Sequence, residues 1–129
     1  MQNNKTGIII VDYNNASDTI NCVNSVLKYS EHDSIQIAIV DNGSSKENIL
    51  LMEDYLRQLN VSVNFLNAEN YLSNDSSFIN YIQTGQNLGY AKGNNVGLDF
   101  FAKVDEIKYI LILNNDILLS DPLIEPLRG

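Results

Sequence analysis

Three times in this chain a run of aliphatic residues stops at a cluster of carboxylate and amide side chains. Ile8, Ile9, Ile10 and Val11 end at Asp12-Tyr13-Asn14-Asn15. Ile35, Ile37, Ile39 and Val40 end at Asp41-Asn42-Gly43-Ser44-Ser45, and residues 109–113 end at Asn114-Asn115-Asp116. Short, β-branched and continuously apolar runs are what strands buried on both faces require, the situation of a parallel sheet. Residues 16–29 lie between the first two runs and place Ile20, Val23, Val26 and Leu27 at helical spacing. After the second run, Ser44 and Glu47 have the spacing of a capping box, and Ile49, Leu50, Tyr55, Leu56 and Leu59 continue as an amphipathic helix. A β-α-β-α succession calls for parallel strands joined by right-handed crossovers, so the chain is α/β, a mainly parallel sheet flanked by helices.

The second half has one ambiguity. Residues 61–66 and 78–84 both have strand character, with a polar stretch from about Asn67 to Ser77 between them. One of the two is expected beside the second strand, the other as an excursion. Residues 90–104 are expected to be helical with Leu98, Phe101 and Ala102 inward, although Gly and Asn between 93 and 97 weaken the helix. Ser120-Asp121-Pro122 has the form of a cap and first-turn proline opening a further helix. The chain ends soon after, so the architecture is expected to be truncated.

In open α/β sheets, ligands bind beside the carboxyl ends of the strands, which is where the three polar clusters fall. Carboxylates, amides and the Tyr13 ring together suit a nucleoside carrying a cation-bridged diphosphate. Magnesium or manganese is often held by one or two carboxylates plus phosphate oxygens and water, and Asp116 is the leading ligand. Asp41 suits a pyrimidine imide N–H. Each cluster taken singly has a plain structural reading, as strand-end turn and helix-cap chemistry.

Several classes are excluded. The net charge of −8 with only eight Lys and Arg argues against nucleic acid, whose binding rests on cationic contacts to phosphate. One cysteine, Cys22, precludes an internal disulfide, and no Cys/His cluster has zinc spacing. It is expected to be a partly buried structural thiol. The N-terminal apolar run is too short for a signal peptide or membrane span, which makes the cytoplasm the default compartment. The glycines at 85, 89, 93 and 97 fit neither a phosphate-binding Gly-Lys-Ser/Thr loop nor a dinucleotide fingerprint.

Four segments resemble glycosyltransferase family 2. They are Ile8-Ile9-Ile10-Val11-Asp12-Tyr13-Asn14-Asn15, Ile39-Val40-Asp41-Asn42-Gly43-Ser44-Ser45, the stretch from Asn87-Leu88-Gly89-Tyr90 to Gly97, and Leu111-Ile112-Leu113-Asn114-Asn115-Asp116. Their order matches the family's over nearly the whole chain. The resemblance implies a Rossmann-like GT-A nucleotide-diphospho-sugar transferase fold, with residues 1–129 as its nucleotide-sugar-binding part. It implies that Tyr13 lies against the pyrimidine, Asp41 accepts from the imide, Asn114 stands near the ribose and Asp116 holds Mg2+ or Mn2+. Asn87 and Gly89 would shape the phosphate-side loop, and Asn15 and Asn94 join the substrate-binding set. The implied partner is a nucleoside-diphosphate sugar of uridine or thymidine type. The implied reaction is inverting transfer to an acceptor hydroxyl, in polysaccharide biosynthesis, in the cytoplasm or at the inner face of a membrane.

Departures accompany the resemblance. Asp12 stands where Thr or Ser is usual, which puts a charge near the base site. Asn114 replaces the motif's first acidic residue, as in rhamnosyltransferase-like members, and Asn94 stands where many relatives carry Arg. The acceptor-binding half and the catalytic base are expected beyond residue 129, so the 129 residues alone are expected to be inactive and prone to self-association. The competing reading is a non-catalytic, receiver-like α/β module, which places acidic residues at strand ends too but also needs a suitably placed Lys that is lacking here.

Overall fold

The computed structural model describes residues 4–119. Their elements run β1 (Lys5–Asp12), α1 (Ala16–Tyr29), a short 3-10 turn (His32–Ser34), β2 (Ile35–Asp41), α2 (Lys46–Gln58), β3 (Val63–Asn67), β4 (Ile79–Gln83), α3 (Tyr90–Ala102) and β5 (Ile107–Leu113). Every pairing is parallel, in the order β3-β4-β2-β1-β5. The end of β1 therefore lies between those of β2 and β5. This order differs from the 2-1-3-4-5 order of receiver-like folds.

Because successive strand residues point to opposite faces, the aliphatic runs divide into two cores. Ile8, Ile10, Ile37, Ile39, Ile79 and Tyr81 pack under Val23 and Val26 of α1 and Met52 and Leu56 of α2. Ile9, Ala38, Val40, Leu66 and Ile82 pack under Phe100 and Phe101 of α3. The α/β expectation holds: a parallel sheet covered by helices on both faces.

Local details correct the sequence reading. The cap of α2 is Ser45, whose hydroxyl accepts from Asn48 N–H at 3.3 Å. Ser44 instead accepts from Asn14 N–H at 2.8 Å and ties the β1 turn to the β2 turn. Leu50, expected on the apolar face, is exposed, and Met52 fills the core in its place. Both ambiguous segments are strands: β4 pairs with β2, while β3 extends the sheet beyond β4 as its edge. No excursion is formed. On α3, Leu98 and Ala102 face out and Phe100 joins Phe101 inside.

The reason for the α3 error lies in its glycines. A Cβ at Gly97 would sit 2.8 Å from Ile9 Cγ2, and one at Gly93 would sit 3.2 Å from Val11 Cγ1. The inward face thus runs Gly93, Gly97, Phe100, Phe101, and its first half carries no apolar side chain for periodicity to find. Close approach of the helix brings its N-terminus down onto the strand ends.

Cys22 is fully buried in the α1 stripe, more deeply than expected. Leu119 is buried too, whereas Ile110, Ile112, Ile117 and Leu118 are exposed. The helix expected from Ser120 lies outside the described residues. Among those residues, no helix is long and apolar enough to cross a membrane.

Candidate functional site

The carboxyl ends of β1, β2 and β5 and the loop from β4 into α3 surround one cavity of about 510 Å3, within the range of small-ligand sites. Six of the residues singled out from sequence line it: Tyr13, Asn15, Asn87, Gly89, Asn114 and Asp116. Val11, Asn42, Tyr90 and Asn115 complete the wall. Asp41 and Asn94 are not among the lining residues. Both are buried, and each leaves a side-chain oxygen, Oδ1, without a hydrogen-bond partner among the described residues.

Asp12 explains how the floor is built. Its carboxylate is fully buried, with Oδ1 accepting from Asn15 N–H at 3.2 Å and from the Thr19 hydroxyl at 2.9 Å. Oδ2 accepts from Asn48 Nδ2 at 2.7 Å, while Asn48 Oδ1 accepts from Ala16 N–H at 2.8 Å. One carboxylate therefore gathers the starts of α1 and α2 at the end of β1, where helix N-termini favour negative charge. The sequence reading put this charge near the base. Its hydrogen bonds instead turn it into the scaffold beneath. Thr19 also accepts from Asn115 Nδ2 at 3.1 Å, which carries the same network to the end of β5.

Asn42 fixes the opposite wall and was missed as a site residue. Its Nδ2 donates to Gly89 C=O at 3.0 Å, and its Oδ1 accepts from Leu88 N–H at 3.1 Å. The next residue, Gly43, has φ +80°, and a Cβ there would lie 2.5 Å from the Gln86 carbonyl carbon. Only glycine meets both demands, the left-handed turn and the contact. The β2 turn thus clamps the loop that carries Asn87 and Gly89. A side-chain amide directly after a strand-end Asp was the available signal, but its partners lie 42 to 47 residues away.

Tyr90 was also missed. It is 53% exposed at the first position of α3, and its hydroxyl donates to Asn114 Oδ1 at 2.7 Å. The N-terminus of α3, capped by Gly89 at φ +85°, borders the cavity with no acidic residue in its first turn. Unpaired N–H groups at a helix start favour anions.

The charges in the cavity are few. Asp116 is exposed at the end of β5 and is the one carboxylate among the lining residues. No group of three or more His, Cys, Asp and Glu that could hold a metal occurs among the described residues. A hard cation in this cavity would have one carboxylate ligand among the lining residues, Asp116, and would need water and ligand phosphates for the rest of its shell. Below the cavity, burial raises the Asp41 carboxyl above its ordinary value of 3.8, against the lowering effect of hydrogen bonds from Ser44. Burial, then the Asp116 charge, pushes the Cys22 thiol up to about 11.

The fold resembles that of TarS from S. aureus. The structure of its residues 1–349 matches with a TM-score of 0.67 and 20% identity, covering 96% of this chain and 31% of that one. The forms in complex with UDP and with UDP-GlcNAc each match with a TM-score of 0.59 and 22% identity, over 87% of this chain and 27% and 26% of theirs. This chain thus spans about a third or less of the TarS chains it matches. No curated protein matches it at a significant level. The profile described as "Glycosyl transferase family 2" covers residues 7–128. With its Rossmann-like GT-A sheet and strand-end cavity, the chain belongs to glycosyl transferase family 2.

Proposed function

We propose that residues 1–129 are the nucleotide-sugar-binding part of a glycosyltransferase whose donor is a uridine or thymidine diphosphate sugar. The observation that carries this reading is the convergence of three strand ends and the α3 N-terminus on one cavity that holds Tyr13 and Asp116. The complexes of TarS with UDP and UDP-GlcNAc support the ligand class. Tyr13, 49% exposed, offers its ring to the base. Asn114 serves the ribose, Asn87 and Gly89 shape the phosphate side, and Asn15 contributes its amide at the cavity wall. Asp41 accepts from the base imide through its unpartnered Oδ1. Because that oxygen is buried, the β2 turn must shift on binding. Asn94, buried on α3 with an unpartnered Oδ1, completes the substrate-binding set.

In this reading Asp116 holds Mg2+ or Mn2+. Either ion, when bound, neutralises charge developing on the leaving diphosphate. Transfer proceeds with inversion: a base outside these residues takes the proton of an acceptor hydroxyl, whose oxygen bonds to the anomeric carbon as the bond to diphosphate breaks. The acceptor is a growing polysaccharide, handled in the cytoplasm or at a membrane's inner face. Thermal melting and calorimetry with UDP and with TDP, each with Mn2+ or with chelator, test the proposal. A cation-dependent rise in melting temperature is expected, and no response to either nucleotide at millimolar concentration would refute it.

A further inference from the structure

The two walls of the cavity meet in one hydrogen bond, from the Tyr90 hydroxyl on α3 to Asn114 Oδ1 after β5. An asparagine amide has an acceptor end and a donor end, so whatever binds one end decides which faces a ligand. Both partners of this bond are anchored. Asn114 C=O accepts from Ile117 N–H at 3.0 Å, and the neighbouring Asn115 is held by Thr19. Tyr90 follows Gly89, whose carbonyl is held by Asn42. What remains free is the flip of the Asn114 amide, and the Tyr90 hydroxyl engages its oxygen.

We propose that Tyr90 is a positioning residue that holds Asn114 with Nδ2 toward the cavity. Position 114 thereby donates to an acceptor oxygen of the nucleoside diphosphate and does not act as a second cation ligand. An acid at this position would offer only acceptors at neutral pH. The amide, with its oxygen drawn to Tyr90, turns its two N–H donors to the cavity and carries no charge, so Asp116 is the one charged cation ligand among the lining residues. This proposal rests on the nucleotide-binding reading for its ligand, but the Tyr90–Asn114 pairing exists in the free protein and can be read without one.

The test uses the whole 129-residue chain and the variants Tyr90→Phe, Asn114→Ala and their combination. Both side chains are exposed, so the core is untouched. Calorimetry with UDP and Mn2+ should show Tyr90→Phe weakening affinity about five-fold, the size of one hydrogen bond. In the Asn114→Ala background the same change should do nothing. In nitrogen–proton spectra without ligand, Tyr90→Phe should displace the Asn114 side-chain N–H pair while melting temperature stays unchanged. Losses that add in the double variant would mean that the Tyr90 hydroxyl meets the nucleotide itself, and would overturn the proposal. An unmoved Asn114 amide would overturn it as well. If the wild type binds neither UDP nor TDP, the nucleotide reading and this proposal's ligand both fall, and the spectra separately decide the pairing.

Discussion

Asp12→Asn separates scaffold from ligand site. The substitution keeps shape and removes one charge, so its effect comes from hydrogen bonding and from the burial of that charge. In the variant, the amide oxygen at position 12 can keep the bonds from Asn15 N–H and the Thr19 hydroxyl. The new amide nitrogen then faces Asn48 Nδ2, donor against donor. Asn48 cannot turn over without abandoning Ala16 N–H. One buried donor is left unpaired, which costs about 1–3 kcal/mol, and two charge-assisted bonds become ordinary ones at roughly 1 kcal/mol less each. Relief from burying a charge acts the other way. The balance is a loss of about 2–4 kcal/mol. For a chain of this size that is roughly a 10 °C fall in melting temperature, interpolating between smaller and larger domains. Urea unfolding measures the energy, and calorimetry with UDP measures affinity under conditions where the variant is folded. If Asp12 is scaffold, stability falls by this amount. A stability change within about 0.5 kcal/mol, the range of an ordinary surface substitution, together with a large change in UDP affinity, would refute the reasoning and return Asp12 to the base site.

Asp41→Asn should weaken UDP or TDP binding by about 1.5–3 kcal/mol, the loss of a charge-assisted hydrogen bond; unchanged affinity sinks the role. Because burial raises the Asp41 pKa, the folded state holds its proton more tightly than the unfolded one, so the stabilisation is complete below the ordinary value of 3.8 and is lost as pH rises through the raised one. Wild type should therefore lose stability relative to Asp41→Asn over that window, and parallel pH profiles would contradict this. Asp116→Ala should abolish the cation dependence of nucleotide binding while leaving the fold intact, as measured by calorimetry with Mn2+ and with chelator; wild-type binding that is equal in chelator would make Asp116 no ligand. Cys22, buried and with its pKa pushed up to about 11, should resist thiol reagents in the native state, and rapid labelling would show that the α1 face opens. The exposed Ile110 and Ile112 on edge strand β5 should drive self-association of these 129 residues, and a monomer at high concentration by light scattering would refute it.

What could be read in the sequence was whatever depends on neighbours along the chain. The runs ending at Asp12 and Asp41 announced buried parallel strands because burial on both faces leaves little room for polar positions. The run ending at Asn114 is instead a parallel strand at the sheet edge, with Tyr109, Ile110 and Ile112 exposed rather than buried. The parallel sheet alone was enough to bring three clusters, more than 100 residues apart at their extremes, to one rim. What could not be read depends on distant partners. Ser44 and Ser45 are both good capping residues, and the choice fell to Ser45 because Asn14, 30 residues back, engages Ser44. The inward face of α3 escaped because two of its positions are glycines, whose role is the space they leave to Ile9 and Val11. Asp12 and Asp41 look alike in sequence, each ending a buried strand and paired in register. They differ only in what surrounds them. Asp12 has three donors and is satisfied. Asp41 has one oxygen on Ser44 N–H and the other without a partner. A buried carboxylate that the protein itself leaves half-satisfied is unfavourable to the free fold, and a ligand N–H that completes it would recover that cost on binding. The same physical chemistry therefore makes Asp12 a stability residue and supports the recognition role proposed for Asp41. A double comparison of Asp12→Asn with Asp41→Asn, stability against affinity, should show the two effects on opposite axes.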